Sequence, residues 1–419
     1  MADDRIVVYL NWDGFASYYY DEARERGVVP VLESLRSQGV FFENAYCGIP
    51  AITNPMQTAI ASGAYACKTG NVKVHYDKTL RTVVGQRREN NAENIVQAFR
   101  RQGVPCASVQ HFTFENNGTA DGDVQAPYIA LKNSTFLQRF DTMEDLLLGR
   151  PIHSGGRLIE VPEPPRFVAC YMEDLDTIGH NNGKLAPVAV SEEQRLDNVL
   201  WRLGQMDTAL GNFLQTMETA GLLDRLSVFL LTDHGMTPFT RNEASADAYE
   251  DFLSTLKSEG LTYEFLKPGM SPVPGTDLVI CSAGLSLLLS FLDDDQGKLT
   301  ERLKRRLEGK SYIGRIMTGA EIERTGSIGF CDLYVSAKPP CILQKTAPRV
   351  GGATHDSLDD SALHIFSMMW GDGIRKGYGE SRRIQNIDFA STMAALLGVE
   401  PPRDNQGTCL RDALTWKEI

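Results

Sequence analysis

Three apolar runs in this chain end on side chains that could bind a cation. "IVVYLNWDG" closes on Asp13, "FVACYMEDLDTIGH" on Asp176 and His180, and "VFLLTDHGM" on Asp233 and His234. Short runs rich in β-branched and aromatic residues read as buried strands. In an open parallel sheet, ligands gather at the carboxyl ends of the strands. Three carboxylates and two imidazoles would therefore converge on one edge. Left alone, the carboxylates would repel one another and carry a desolvation cost. A divalent cation resolves both problems. A His and Asp mixture without thiolates suits zinc, or manganese where oxygen ligands dominate. A fourth piece is "GGATHDSLDDSALHIF", in which His355 follows a glycine-rich turn just before another strand-like run. Each piece has a plainer reading by itself: Asp13 before Gly14 is a common turn, and "DTIGH" could be a solvated loop. Their joint occurrence at strand ends carries the metal reading. His364 falls inside the last run and reads as a core or supporting residue. His75, His111 and His153 lack ligand spacing and read as ordinary histidines.

A nucleophile candidate lies in "GIPAITNPMQTAIASG", residues 48–63. Asn54 suits an N-cap and Pro55 the first helical position, and "MQTAIAS" reads as a short helix stopped by Gly63. Thr53 then sits just before the cap, facing the positive end of the helix dipole. A hydroxyl there, if also bound to a divalent cation, can ionise near neutral pH and attack phosphorus. The plainer alternative is that Thr53 only helps to cap the helix.

The elements that would carry these residues alternate between strand and helix. "RIVVYLNW", "VFFENAY", "VPCASVQ", "RFVACYME", "LSVFLLT" and "ALHIFSMMW" read as strands. "VPVLESLRSQG", "NAENIVQAFRRQG", the periodic stretch over residues 191–221 and "NIDFASTMAALLG" read as helices. Apolar strands flanked by amphipathic helices predict a mostly parallel sheet covered on both faces, an α/β/α sandwich. Residues 237–350 are less regular and richer in Pro and Gly. They are expected to form a cap subdomain inserted into a core made of residues 1–236 and 351–419.

With 419 residues the chain is long enough for one large domain or two, and 42% hydrophobic with 23% charged is an ordinary globular mix. A net charge of -12, from 42 basic and 54 acidic residues, disfavours a nucleic-acid polymer as partner. It does not disfavour a small phosphorylated substrate, because a bound metal inverts the local field. The start, "MADDRIVVYLNWDGF", does not read as a signal peptide, and the longest apolar run, residues 278–292, is too short for a typical membrane span and holds three serines. The eight cysteines form no C-x-x-C pair. A cytoplasmic protein without a disulfide framework is the expectation; oligomeric state is left open.

Together these motifs resemble the alkaline phosphatase superfamily, and within it the type I phosphodiesterase/nucleotide pyrophosphatase family. The resemblance rests on the order of "DGF", the threonine before a Pro-containing helix, "EDLDTIGH", "TDHGM" and the glycine–His turn, and runs from Arg5 to Gly407. It implies an alkaline-phosphatase-like sandwich and two metal sites, whose His and Asp donors suit zinc. One would hold Asp176, His180 and His355; the other Asp13, Asp233, His234 and the Thr53 oxygen. It also implies in-line attack by Thr53 and a phosphothreonine intermediate. The chain departs from the family pattern at Met56 and Lys73, where relatives carry Asn, and after His355, where "THDS" stands in place of H-G-Y-D-N or H-G-G. Lys73 is then a candidate partner for the extra charge of a phosphate monoester. The competing expectations are a phosphomonoesterase or phosphonate hydrolase of the same superfamily, and a catalytically silent metal- or ligand-binding relative.

Overall fold

The computed structural model describes residues 4–344 and 349–415. Residues 345–348, which adjoin the expected boundary at 350, and the terminal residues 1–3 and 416–419 lie outside the described residues.

The centre is an eight-stranded sheet. Its order is Tyr378–Glu380, Gly39–Phe42, Ser367–Gly371, Leu226–Leu231, Ile6–Trp12, Phe167–Met172, Cys106–Val109 and Tyr128–Ile129. Ser367–Gly371 runs antiparallel to both neighbours, and the remaining pairs are parallel. The mostly parallel sheet predicted from the alternating pattern is therefore present. "VFFENAY" divides, however: Gly39–Phe42 joins the main sheet, while Ala45–Tyr46 pairs with Ile384–Gln385 in a separate ribbon.

Strand periodicity explains the three layers. Along Ile6–Trp12 every residue is buried. Val7 and Tyr9 face one core, shared with the helices Thr53–Ser62, Ile95–Arg101 and Asp388–Leu397. Ile6, Val8, Leu10 and Trp12 face the other, shared with Ser17–Glu25, Pro30–Gln38, Phe136–Leu147 and Glu192–Thr219. Period-2 side chains on a strand buried on both faces leave little room for polar residues until the strand ends, and the one within it, Asn11, is hydrogen-bonded to Tyr9 and Gln57.

Beyond Met236 the chain leaves this sheet. Thr237–Arg241 goes out and Arg349–Thr354 returns, paired antiparallel with Thr237 opposite Thr354. Between them lies a five-stranded sheet in the order Tyr263–Phe265, Leu278–Ala283, Ser286–Phe291, Leu333–Ala337, Ile313–Thr318. It has its own core with the helices Glu243–Ser258 and Lys298–Leu307. The long apolar run is a hairpin within it, turning between Ala283 and Ser286. Among the described residues no helix is long and apolar enough to cross a membrane.

Candidate metal and nucleophile site

Parallel register brings the three motifs together. Trp12 is level with Met172, and Asn11 with Leu231, so Asp13, the short helix Asp174–Gly179 that carries Asp176 and leads to His180, and Asp233 leave the sheet at the same edge. His355 follows the return strand Arg349–Thr354, outside the main sheet, and lies ahead of the main-sheet strand Ser367–Gly371. Because Ser367–Gly371 is antiparallel, with Ser367 opposite Leu231, the start of that strand is at the edge where the others finish. The turns are closely packed: Asp176 N–H donates to Asp13 O at 3.0 Å. Gly14 has φ 72°, and a Cβ there would lie 2.9 Å from Asp176 Cα and Cβ, so both conformation and space require glycine.

The side chains form two groups of potential ligands, Asp176 with His234 and His355, and Asp13 with Asp233 and His234. Within each group the ligand atoms lie within 4.8 Å of one another. His234 thus belongs to both, whereas the family resemblance assigns it to one. His180 stands beside the first group, with Nε2 3.3 Å from Asp176 Oδ1.

Each imidazole is oriented in the same way. Nδ1 of His180 faces Ala353 O at 3.2 Å, that of His234 faces Gly235 O at 2.9 Å, and that of His355 faces Ala51 O at 3.2 Å. A carbonyl only accepts, so each Nδ1 carries the proton. A neutral ring then turns the Nε2 lone pair toward carboxylate oxygens. His234 Nε2 is 3.4 Å from Asp13 Oδ1 and 3.4 Å from Asp233 Oδ2, and His355 Nε2 is 3.7 Å from Asp176 Oδ1. These three oxygens are buried and receive no hydrogen bond. Acceptors that face acceptors without a proton between them fit a divalent cation, and backbone carbonyls on the opposite ring nitrogens are the usual support for such ligands.

The titration behaviour agrees. Burial, then the charges of Asp233 and Asp176, push the Asp13 carboxyl well above the usual carboxylate range. Burial and then the neighbouring His234 push His355 well below the usual imidazole value, against the pull of Asp176. For Asp176, burial acts upward, but the closeness of His180, with His355 and His234, outweighs it and holds the carboxyl down.

Thr53 sits at the start of the helix Thr53–Ser62, which ends at Gly63 with φ 62°. The helix begins earlier than "NP" suggests. Ile52 occupies the cap position, and Asn54 and Pro55 lie inside the first turn with no side-chain cap bond. The Thr53 hydroxyl is 3.0 Å from His234 Nε2. It opens onto a cavity of about 510 Å³, also lined by Asn54, Arg88, Phe112, Glu115, Tyr128, Arg139, Tyr171, Glu173 and His355. Met56 points into the core instead, its sulfur accepting from Gly48 N–H at 3.2 Å.

Several contributors carry no strong sequence signal. The Tyr171 hydroxyl donates to Asp13 Oδ2. Period-2 counting along Phe167–Met172 puts Tyr171 on the nucleophile's face with Phe167 and Ala169, which is the one hint available. Arg139, buried, holds the Glu173 carboxylate, with Nη2 2.9 Å from Oε1. Lys73 is also buried. Its ammonium pairs with Asp356 and does not line the cavity at Thr53. His364 is not inside the strand: it forms an isolated bridge to Tyr46, and its Nε2 faces Glu43 O at 2.8 Å. His75 turns Nδ1 to Lys73 O at 2.9 Å, and His153 is exposed on a hairpin. His111 is fully buried among Tyr9, Phe114 and Tyr171, with neither ring nitrogen hydrogen-bonded.

Residues 7–277, well over half of the chain, match the sequence pattern of the type I phosphodiesterase/nucleotide pyrophosphatase family. The chain belongs to this family. Among its relatives is the mouse bis(5'-adenosyl)-triphosphatase enpp4, 21% identical over 407 residues, which cover 96% of this chain and 79% of the relative. The venom phosphodiesterase of Macrovipera lebetinus is 27% identical over 252 residues, but these are only 26% of its length. In structure the fold matches murine ectonucleotide pyrophosphatase/phosphodiesterase 5 with TM-score 0.65 at 14% identity, covering 95% of this chain and 96% of that one. An inactive threonine-to-alanine variant of the same murine protein, in complex with AMP, matches with TM-score 0.67 at 15% identity, covering 98% and 100%. The fold is thus the alkaline-phosphatase-like sandwich that the motifs imply, and the family is one of phosphoric ester hydrolases.

Proposed function

We propose that the protein hydrolyses phosphoric diester or pyrophosphate bonds of a small phosphorylated molecule, with Thr53 as the nucleophile. The observation that carries this is the placement of one hydroxyl, Thr53 Oγ1, at the mouth of a 510 Å³ cavity and 3.0 Å from the imidazole shared by both ligand groups. Asp13, Asp233, His234 and Thr53 would hold one divalent cation; Asp176, His180 and His355 would hold the other. Zinc suits this nitrogen and oxygen donor set. When bound, the pair of cations supplies the positive charge that lowers the pKa of a hydroxyl and stabilises a departing oxygen.

The chain's own residues do the rest. The Thr53 oxygen attacks phosphorus in line, forming the Oγ–P bond as the bond to the leaving oxygen breaks. Water then attacks the phosphothreonine, the Oγ–P bond breaks, and the hydroxyl is restored. The N-terminal end of the helix Thr53–Ser62 favours the negative charge that develops there. Tyr171 holds Asp13 in place by its hydrogen bond. Phe112, Tyr128 and Tyr171 give the cavity aromatic surface for the leaving group, and Arg88 and the Arg139–Glu173 pair give it polar contacts. A volume of 510 Å³ suits a nucleotide-sized substrate. The AMP complex of the murine relative supports the same class.

A comparison of aryl phosphate diesters, monoesters and dinucleoside polyphosphates, with zinc or manganese restored after chelation, tests the reading. Diester or pyrophosphate turnover that is lost on chelation and returns with metal is expected. Metal-independent turnover, or none on any phosphate ester, would overturn it.

A further inference from the structure

Lys73 and the residue after His355 are positions at which the chain departs from its family's pattern. In the folded protein they are bonded to each other. Both are fully buried, with side chains 2% and 3% exposed, and the Lys73 ammonium pairs with the Asp356 carboxylate. The other carboxylate oxygen accepts from the Tyr334 hydroxyl, whose ring lies 4.8 Å from the ammonium. Tyr334 belongs to the second sheet.

Asp356 also has its backbone held from both sides. Its N–H donates to Ala51 O at 2.9 Å, and its carbonyl accepts from Ser286 Oγ at 2.9 Å. It sits at φ 64°, a conformation that costs a non-glycine residue energy unless the surroundings enforce it. Gly284 closes over the same turn so tightly that a Cβ there would meet His355 O at 2.3 Å. The adjoining imidazole of His355 is aimed by Ala51 O as well.

We infer that Lys73, Asp356 and Tyr334 are positioning residues for His355. They fasten the turn that aims its imidazole to the second sheet, and the lysine's charge is matched by Asp356 instead of being offered to the substrate's phosphoryl group. The inference rests on the proposed role of His355 as a cation ligand. It departs from the sequence-based expectation that Lys73 reads the charge of a monoester.

Four variants test it: Lys73→Met, Asp356→Asn, the two combined, and Tyr334→Phe. Each is followed by thermal unfolding, by zinc titration against a chromogenic chelator, and by turnover of aryl phosphate mono- and diesters. Partners that hold a metal ligand in place typically contribute about 10- to 100-fold in affinity. Loss of that order is expected at one of two zinc sites for Lys73→Met and Asp356→Asn, with a smaller loss for Tyr334→Phe. Mono- and diester turnover should fall by one common factor and recover at high zinc. The combined variant should lose no more than the worse single one, because the residues act as a unit. Zinc affinity equal to wild type in folded variants would reduce the cluster to scaffold. A loss confined to monoesters in Lys73→Met would show that the lysine reads substrate charge. Additive losses would show that the residues do not act together. If the single variants fail to fold, the combined variant and Tyr334→Phe still decide. The zinc titration gives its answer even if the protein hydrolyses none of these esters, which separates this inference from the proposed function.

Discussion

Two buried acidic clusters adjoin His355 and are treated in opposite ways. On one side, Asp13, Asp176 and Asp233 each keep a buried oxygen with no hydrogen bond, facing imidazole lone pairs. On the other, Asp356 has a lysine and a tyrosine hydroxyl on its carboxylate. Burial raises the carboxyl pKa of both Asp13 and Asp356, but only Asp356 has an ammonium pulling against it. The chain can evidently neutralise a buried carboxylate with its own side chains. Where it does not, at the edge of a cavity, the missing charge is to be brought from outside. On the proposed reading, satisfied charge marks residues that position the site and unsatisfied charge those that bind at it.

The sharpest way to separate the two clusters is to remove what stands between them and substrate. Thr53→Ala should lower turnover by roughly 10³-fold or more while zinc content and unfolding temperature stay near wild type, since loss of a covalent nucleophile removes a whole reaction step. Thr53→Ser should retain part of the activity. Near-normal turnover of the alanine variant would mean that water attacks directly.

The compensated cluster should respond in stability. Asp356→Asn leaves the Lys73 ammonium buried without its partner, and breaking such a pair typically costs about 3–5 kcal/mol. Denaturant unfolding checks this, and a change under ~1 kcal/mol would show that the pair is not desolvated as the structure has it.

His111 extends the comparison to a buried group with no compensation and no cation site. Burial pushes its pKa from 6.5 down to about 3. Between those values the unfolded chain binds the more protons, so the contribution of neutral His111 is complete above pH 6.5 and is lost as pH falls toward 3. The loss is at most about 1.4 kcal/mol per pH unit. In His111→Phe that part of the acid dependence should vanish, and unfolding curves from pH 7 to pH 4, each relative to its own value at pH 7, would show it.

The smallest effect is expected on the uncompensated side. In chelator, Asp13→Asn should make the protein more stable than wild type, because one member of a repelling trio is gone. Each unit of upward pKa shift so relieved is worth about 1.4 kcal/mol. With zinc added the order should reverse. A metal-free variant less stable than wild type would mean that Asp13 is held by contacts rather than strained by its neighbours.

Much of this was legible before folding. Asp13, Asp176, His180, Asp233 and His234 were marked by their joint occurrence at the ends of apolar runs, and His355 by the glycine-rich turn before another. The structure brings all six together with Thr53. The sharing of His234 was not legible, since spacing along the chain does not say how two turns lean on each other. The helix start at Thr53 was misjudged because Asn54 and Pro55 have cap propensity that the preceding extended Ile52 overrides. The pairing of Lys73 with Asp356 was not legible for a different reason. The partner lies 283 residues away, and an isolated lysine carries no sign of a distant aspartate. Tyr171, Arg139 and Tyr334 belong to the same class: their roles follow from tertiary contacts that leave only a faint period-2 trace.

The Ala51 carbonyl, two residues before Thr53, receives both the His355 imidazole N–H and the Asp356 backbone N–H. One oxygen therefore sets the reach between the Thr53 loop and the turn opposite. A shift of the turn at Asp356 would move His355 and the Thr53 loop together.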